Sequence, residues 1–219
     1  MREVTRHASR ITPSGIMPET PPEQHKKTAP KSVRCAALTM SDSRTEETDD
    51  SGKLIKELLT NGGHEIVGYQ IVKDDKREIK DALKAFAKRD DVDAILTNGG
   101  TGISMRDSTY EVVEDFLDKT IDGFGELFRA LSYQEIGSAA MMSRAIAGVG
   151  KGTVVISMPG SPGGVRLAME KLVLPELGHL VGLVQRHREK QRELEGHKKH
   201  KKHEVKGKCE KDDAHEDDE

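Results

Sequence analysis

The stretch Val92–Glu111, VDAILTNGGTGISMRDSTYE, limits the possible folds more than any other part of the chain. Val92, Ala94, Ile95 and Leu96 form a short apolar run, as expected of a strand buried on both faces of a parallel sheet. The strand ends at Thr97. Gly99, Gly100 and Gly102 then remove three Cβ atoms, which permits positive φ and lets backbone N–H groups approach an anion. Ser108 and Glu111 have the S-x-x-E spacing of a capping box, which predicts a helix start with Asp107 just before it. A buried strand, a phosphate-sized cradle and a carboxylate therefore follow one another into a helix N-terminus.

The preceding segments repeat this pattern. Val33 to Met40 is an apolar run that ends in Ser41 and Asp42 before an acidic loop, SRTEETDDSG. Leu54, Ile55, Leu58 and Leu59 then fall on one helical face, and Gly62 and Gly63 close that helix. Glu65 to Val72 reads as a second strand emptying into Lys73, Asp74 and Asp75. Asp75 and Glu78 again have capping-box spacing, and Ile79, Leu83 and Phe86 mark the next helix. Three successive βα units predict a parallel sheet.

Beyond Glu111, Val112, Val113, Phe116 and Leu117 form one helical face and Phe124, Leu127, Phe128 and Leu131 another, with Gly123 and Gly125 marking the expected turn. Ser143–Val149 and Thr153–Met158 read as a hairpin or as two neighbouring strands. Val165–Leu172 and Leu177–Val184 are helical by period, with a break or kink expected at Pro175. The expected fold is α/β, a three-layer open, mostly parallel sheet with helices on both faces.

Composition sets the boundaries. Residues 1–31 carry five prolines among polar side chains and read as a disordered N-terminal arm. Residues 186–219, with HKKHKKH and the acidic close DDAHEDDE, read as a charged, His/Lys-rich low-complexity tail. His197, His200 and His203 recur every third residue there, where a solvated tail is the simpler reading than a Zn²⁺ or Ni²⁺ trap. Residues 32–185 remain as one α/β domain. The formal net charge of −3 provides no global basic field, which argues against nucleic-acid binding. Cys35 and Cys209 suggest neither a disulfide framework nor a metal site. No apolar run approaches the roughly 20 residues of a membrane span, and the charged start Met1–Arg10 has no signal-peptide core, so a cytoplasmic protein is expected.

Open parallel sheets bind ligands outside the carboxyl ends of their strands. Those ends carry Ser41 and Asp42, then Asp74, then the GGTG loop with Asp107, and last the turn Pro159, Gly160, Ser161, Pro162. The functional reading is a phosphate-bearing ligand between two glycine-rich loops, with aspartates holding Mg²⁺. Asp42 and Asp74, each ahead of a helix, read more readily as caps when taken singly. No Gly-Lys-Ser/Thr follows the loop and the third glycine of a dinucleotide fingerprint is missing, so neither a P-loop ATPase nor a Rossmann oxidoreductase is supported. Ser41, Ser43, Ser143 and Ser161 lack a recognisable triad.

TNGGTGISMRD, DGFGELFRALS, SRAIAG and MPGSPGGVRLAMEKLVLPELGHL occur in that order, and with them the chain resembles the MoaB/Mog family of molybdenum cofactor biosynthesis proteins over Val33 to Gln185. The resemblance implies a molybdopterin-binding α/β domain that forms homotrimers or homohexamers and works beside other proteins of that pathway. In the catalytic branch it implies transfer of AMP from Mg-ATP to molybdopterin with release of pyrophosphate. It assigns catalysis and Mg²⁺ to Asp74 and Asp107. The pterin and nucleotide crevice falls to Ser41, Asp42, Asn98, Gly99, Gly100, Thr101, Gly102, Pro159, Gly160, Ser161 and Pro162. Many catalytic members carry Pro before the second-strand aspartate, where this chain has Lys73. That residue, with SRTEETDDSG and LSYQEIGSAAMMSRAIAG, resembles the MoaB branch more closely. The alternative is a non-catalytic, molybdopterin-binding oligomeric scaffold.

Overall fold

The computed structural model describes residues 29–187. Apart from residues 29–31, 186 and 187, the expected arm and tail lie outside the described residues, as do His197, His200, His203 and Cys209. The elements in chain order are β1 (Arg34–Met40), α1 (Asp50–Asn61), β2 (Glu65–Val72), α2 (Lys76–Ala87), β3 (Ala94–Asn98), α3 (Thr109–Phe116), β4 (Lys119–Thr120) and α4 (Asp122–Ile136). A 3₁₀ segment, Gly137–Met142, leads to β5 (Ile146–Gly150), β6 (Thr153–Met158) and α5 (Pro162–Ala168). A π turn over Met169–Val173 and a last helix, α6, at residues 174–187 complete the described chain.

The sheet order is β2-β1-β3-β6-β5-β4. β2, β1, β3 and β6 are parallel, whereas β5 runs antiparallel to β6 and β4 antiparallel to β5. Alternation along the buried strands sends side chains to two separate cores. Cys35, Ala37, Leu96, Ile156 and Met158 meet Ile55 and Leu59 of α1, Phe128 of α4 and Met169 and Leu177 on the other side of that face. Ala36, Leu38, Ile95 and Val155 meet Ile79, Leu83 and Phe86 of α2 and Val112, Val113 and Phe116 of α3. Each buried Leu, Ile, Val, Phe or Met side chain among them contributes about 1.5–3 kcal/mol, so the two cores fix the three layers.

Three local expectations are settled in three dimensions. Of the two readings of Ser143–Val149 and Thr153–Met158, the hairpin is the one formed, between Ile146–Gly150 and Thr153–Met158, closed by Lys151 at φ 54° and Gly152 at φ 75°, the two positive angles of a type I′ turn. Asp118 holds the unusual lysine by accepting from its backbone N–H at 2.7 Å and from its Nζ at 3.1 Å. Gly123 and Gly125 are not the turn. β4 makes it, and both glycines lie inside α4, where a Cβ on Gly125 would stand 2.6 Å from the Ala145 carbonyl oxygen. Pro175 does not break the helical run: the chain passes from the π turn over Met169–Val173 directly into α6, and Lys171, four residues before the proline, lies inside that wider turn.

Both ends of the described chain lie at the amino ends of the strands. Gln185 Nε2 donates to Asp93 Oδ1 at 3.2 Å just before β3, and Asp93 also takes a bidentate pair from Arg34 at 2.9 and 2.8 Å. Ala29 and Pro30 cross α6 at Gly178 and Gly182.

One fully buried carboxylate, Asp49, ties the opposite ends of these strands together. As N-cap of α1 its Oδ1 accepts from Gly52 N–H at 3.0 Å and from Arg44 Nη1 at 3.2 Å. Its Oδ2 accepts from the hydroxyls of Thr39 in β1 at 2.5 Å and Tyr69 in β2 at 2.7 Å. Thr39 in turn accepts from Asn98 Nδ2 in β3 at 2.8 Å. The Arg44 guanidinium and Ser51 hydroxyl both donate to the Gly160 carbonyl beyond β6, at 3.0 and 2.8 Å. Burial pushes the Asp49 carboxyl up, but the Thr39, Gly52 and Tyr69 donors with the Arg44 charge outweigh it and hold it below the usual range.

Asp49→Ala leaves two hydroxyls and a guanidinium without their shared acceptor, and a loss of about 3–5 kcal/mol is expected in urea unfolding. A wild-type midpoint would refute the role. Since the folded-state pKa is depressed, this stabilisation is present above the ordinary carboxylate range and lost as pH falls through the lower folded value. The gap between wild type and Asp49→Ala therefore narrows in acid.

Candidate functional site

The four strand-end loops meet at one crevice, each touching the next. β1 leads to Ser41, whose hydroxyl accepts from the N–H groups of Ser43 and Arg44 at 3.3 and 3.2 Å and turns the chain sharply. Gly99, after β3, has φ 94°, and a Cβ there would run into the Met40 carbonyl at the end of β1. Gly100 has φ 61°, and a Cβ there would overlap both Thr109 Oγ1 and Asp74 Oδ2, so the loop after β2 packs directly on the glycine loop. A Cβ on Gly160, after β6, would stand 3.0 Å from Gly99 Cα, and Gly99 N–H donates to Met158 O at 3.3 Å. Two glycine-rich loops thus lie against each other. Ser161 caps α5 by accepting from Gly164 N–H at 3.2 Å, with Pro162 at the first helical position.

Asp74 joins the second and third loops. Its Oδ1 accepts from both the N–H and the hydroxyl of Ser108, each at 3.2 Å, at the N-terminus of α3. The capping box expected from Ser108 and Glu111 is therefore not formed. Ser108 makes no side-chain cap bond because its hydroxyl serves a charged acceptor from another loop, and Glu111 pairs with Arg144 instead. The Asp75 cap is formed as the spacing implied, accepting from Arg77 and Glu78 N–H at 2.9 and 3.0 Å, although Glu78 reaches back to Lys73 N–H. Asp107 sits just before α3, and its Oδ2 accepts from Ser104 N–H at 2.8 Å.

Burial raises the Asp74 carboxyl above its usual range, the nearby charges of Asp107 and Asp42 raise it further, and the Ser108 hydrogen bonds only partly oppose them. Added positive charge would relieve this site. Among the described residues no group of three or more His, Cys, Asp or Glu is arranged to hold a metal. Two aspartates beside the glycine loop nevertheless suit Mg²⁺, which commonly takes one or two carboxylates and completes its shell with other oxygens and water.

Three arginines that local sequence patterns did not single out order the rim. Arg44 links Asp49 to the Gly160 carbonyl. Arg106 Nη2 lies 2.6 Å from Asp42 Oδ2 and crosses from the glycine loop to the loop after β1. Arg144, just before β5, donates through Nε to the Thr101 carbonyl at 3.1 Å and through its other nitrogens to the Gly102 carbonyl and the Glu111 carboxylate. Burial works to raise Glu111, but the Arg144 hydrogen bond and charge hold it below the usual range.

Of the residues expected to line a ligand, Asn98, Gly99 and Thr101 are buried and form the floor beneath the loops. Asn98 points its amide at Thr39, and its Oδ1 has no hydrogen-bond partner. Ser41, Asp42, Gly100, Gly102, Pro159, Gly160, Ser161 and Pro162 reach the surface around the mouth. Beside the Pro159–Ser161 turn a cavity of about 190 Å³ opens between Phe128, Ile136 and Leu167, with Ser132, Ser143 and Glu135 on its wall.

Residues 36–179 match the family model described as "Probable molybdopterin binding domain". Molybdenum cofactor biosynthesis protein B of Halalkalibacterium halodurans is 60% identical over 160 residues, which cover 73% of this chain and 94% of that protein. A crystal structure of a molybdenum cofactor biosynthesis protein B superposes with a TM-score of 0.70 at 60% identity, covering 72% of this chain and 99% of the other. The structure of the tungsten cofactor synthesizing protein MoaB from Pyrococcus furiosus gives 0.64 at 40% identity, covering 71% and 99%.

The raised Asp74 carboxyl has a stability consequence with a definite sign. A folded-state pKa above the unfolded one means that the ionised group lowers stability above the folded value, and that the penalty fades as pH falls through it. Asp74→Asn keeps an oxygen for Ser108 and removes the charge. Its thermal midpoint should exceed that of wild type at pH 8, with the difference vanishing in acid. Equal midpoints at pH 8 would contradict the electrostatic account.

Proposed function

Because the chain belongs to the molybdopterin-binding domain family, as the match over residues 36–179 shows, we propose that it serves molybdenum cofactor biosynthesis as a cytoplasmic molybdopterin adenylyltransferase acting through residues 32–185. The observation that carries this reading is the packing of Gly100 against Asp74 beneath Ser108, which joins a phosphate cradle to a carboxylate at a helix N-terminus.

A terminal phosphate oxygen of molybdopterin attacks the α-phosphorus of ATP. The new P–O bond forms as the bond to the β-phosphate oxygen breaks, and pyrophosphate leaves with that electron pair. Backbone N–H groups of the Gly100–Gly102 loop hold phosphate oxygens, and the Gly160–Ser161 turn forms the facing wall. Asp74 and Asp107 would hold Mg²⁺, which supplies positive charge against the transferred phosphoryl group and the departing pyrophosphate. Phe128, Ile136 and Leu167 offer an apolar wall to a flat ring system, with Ser132 and Glu135 positioned to read its polar edge.

A binding-only scaffold is the second reading, favoured by Lys73 in the position where many catalytic relatives carry Pro. Exposed apolar side chains on and after α4 support self-association under either reading. Leu127, Tyr133, Ile136, Met141 and Met142 lie on α4 and the following 3₁₀ segment, with Tyr133 64% and Met141 80% exposed. The proposed assembly is a homotrimer or homohexamer.

Protein supplied with molybdopterin, ATP and Mg²⁺ is expected to yield adenylylated pterin and pyrophosphate, and Asp107→Asn to lower turnover by about 100-fold or more, about 2.8 kcal/mol of transition-state stabilisation. Tight pterin binding without product would overturn the enzyme reading in favour of the scaffold. The double variant Tyr133→Asp, Met141→Asp should elute as a monomer on sizing; an unchanged elution volume would move the interface elsewhere.

A further inference from the structure

Beyond Gly99, whose N–H donates to Met158 O, the peptide groups of the glycine loop from Gly100 to Ile103 are bonded on one side only. The Gly100 carbonyl accepts from Thr109 N–H at 3.0 Å, the Thr101 carbonyl from Arg144 Nε at 3.1 Å, and the Gly102 carbonyl from Arg144 Nη2. Three consecutive carbonyls are therefore held, all by groups attached to α3: Thr109 belongs to it, and Arg144 is anchored to it through Glu111. In a trans peptide the carbonyl of one residue and the N–H of the next point in opposite directions, and the described chain contains no cis bond. The N–H groups of Thr101, Gly102 and Ile103 are thereby turned away from α3. Among the described residues none of the three meets an acceptor. Thr101 is buried whereas Gly102 and Ile103 reach the surface, so the adjacent N–H groups of Gly102 and Ile103 are open to solvent on one side of the loop, the arrangement of a backbone anion-binding nest.

We propose that Arg144 is a positioning residue that sets the polarity of this loop: by holding the Thr101 and Gly102 carbonyls outward it presents the N–H groups of Gly102 and Ile103 to a phosphate. This rests on the phosphate-binding reading of the crevice. A guanidinium suits the task because its planar fork places two donors on one edge and a third toward Glu111, whereas an ammonium has no such fixed plane. Tyr110 supports the plane, with Arg144 Cζ 5.2 Å from the ring centroid, and the arginine side chain is only 26% exposed. Without the fork the 101–102 and 102–103 peptides are free to rotate. Either carbonyl turned inward would oppose an anion where an N–H had received it.

Calorimetric titration of the full chain with inorganic pyrophosphate, alongside pterin lacking phosphate, tests the idea. Arg144→Gln and Arg144→Lys should both lose about 10-fold to 100-fold in pyrophosphate affinity, the range of one charge-assisted hydrogen bond, while phosphate-free pterin binds as in wild type. A general loss of structure would weaken both ligands together. Glu111→Gln, which keeps the fork and removes only its charged anchor, should lose about threefold, a fraction of such a bond, and provides the readout if the Arg144 variants do not fold. Wild-type pyrophosphate affinity in a folded Arg144 variant, equal loss of both ligands, or unchanged affinity in Glu111→Gln would overturn the positioning role and leave the crevice reading standing. Failure of the wild-type chain itself to bind pyrophosphate would overturn the crevice reading and this inference with it.

Discussion

The ionised side chain of Asp49, taken wholly out of water, is the interaction on which the rest of the crevice depends. A buried carboxylate is tolerated only when enough donors surround it, and here the donors come from β1, β2, α1 and the loop between β1 and α1. Through Arg44 and Thr39 it also governs the loop after β6 and the end of β3. One charge thereby registers four strand ends that sequence separates widely. Apolar packing alone would permit those loops small independent shifts. The shared acceptor couples them, because displacing one donor exposes the others to a carboxylate left short of partners.

That rigid base allows the surface of the crevice to be electrostatically uncomfortable. Asp74 feels the charges of Asp107 and Asp42 beside a loop whose Gly102 and Ile103 N–H groups are turned away from α3. Neither group is content alone: the carboxylates favour a cation and the amides an anion. Under the proposed function, a nucleotide phosphate accompanied by a divalent metal would satisfy both.

Much of this was legible along the chain because it depends on neighbours in sequence. Apolar period and glycine punctuation located the parallel strands, the three layers and the four loops, and the strand-end rule put those loops on one rim. What the pattern could not show depends on which loops become neighbours in space. The spacing of Ser108 and Glu111 suggested that they serve each other, yet each found a stronger charged partner, Asp74 and Arg144, from a distant loop. Asp49 carried a local signal, since it precedes a helix in an acidic run, but nothing local distinguishes a solvated cap from one that gathers two strands. Gly125 read as a turn because glycine breaks helices in isolation; it is in fact the only side chain small enough to let α4 approach the chain at Ala145. Pro175 follows directly on a π turn, which lets the helical run continue through it.

The placement of the two ends of the described chain has its own consequence. Pro30 lies across α6, and Gln185 of α6 bonds to Asp93 at the foot of β3, so both junctions open on the side of the sheet opposite the glycine loops. A domain wired in this way behaves like a socket with its leads at the back. Both junctions, at Pro30 and Gln185, are thereby set apart from the loops that form the mouth.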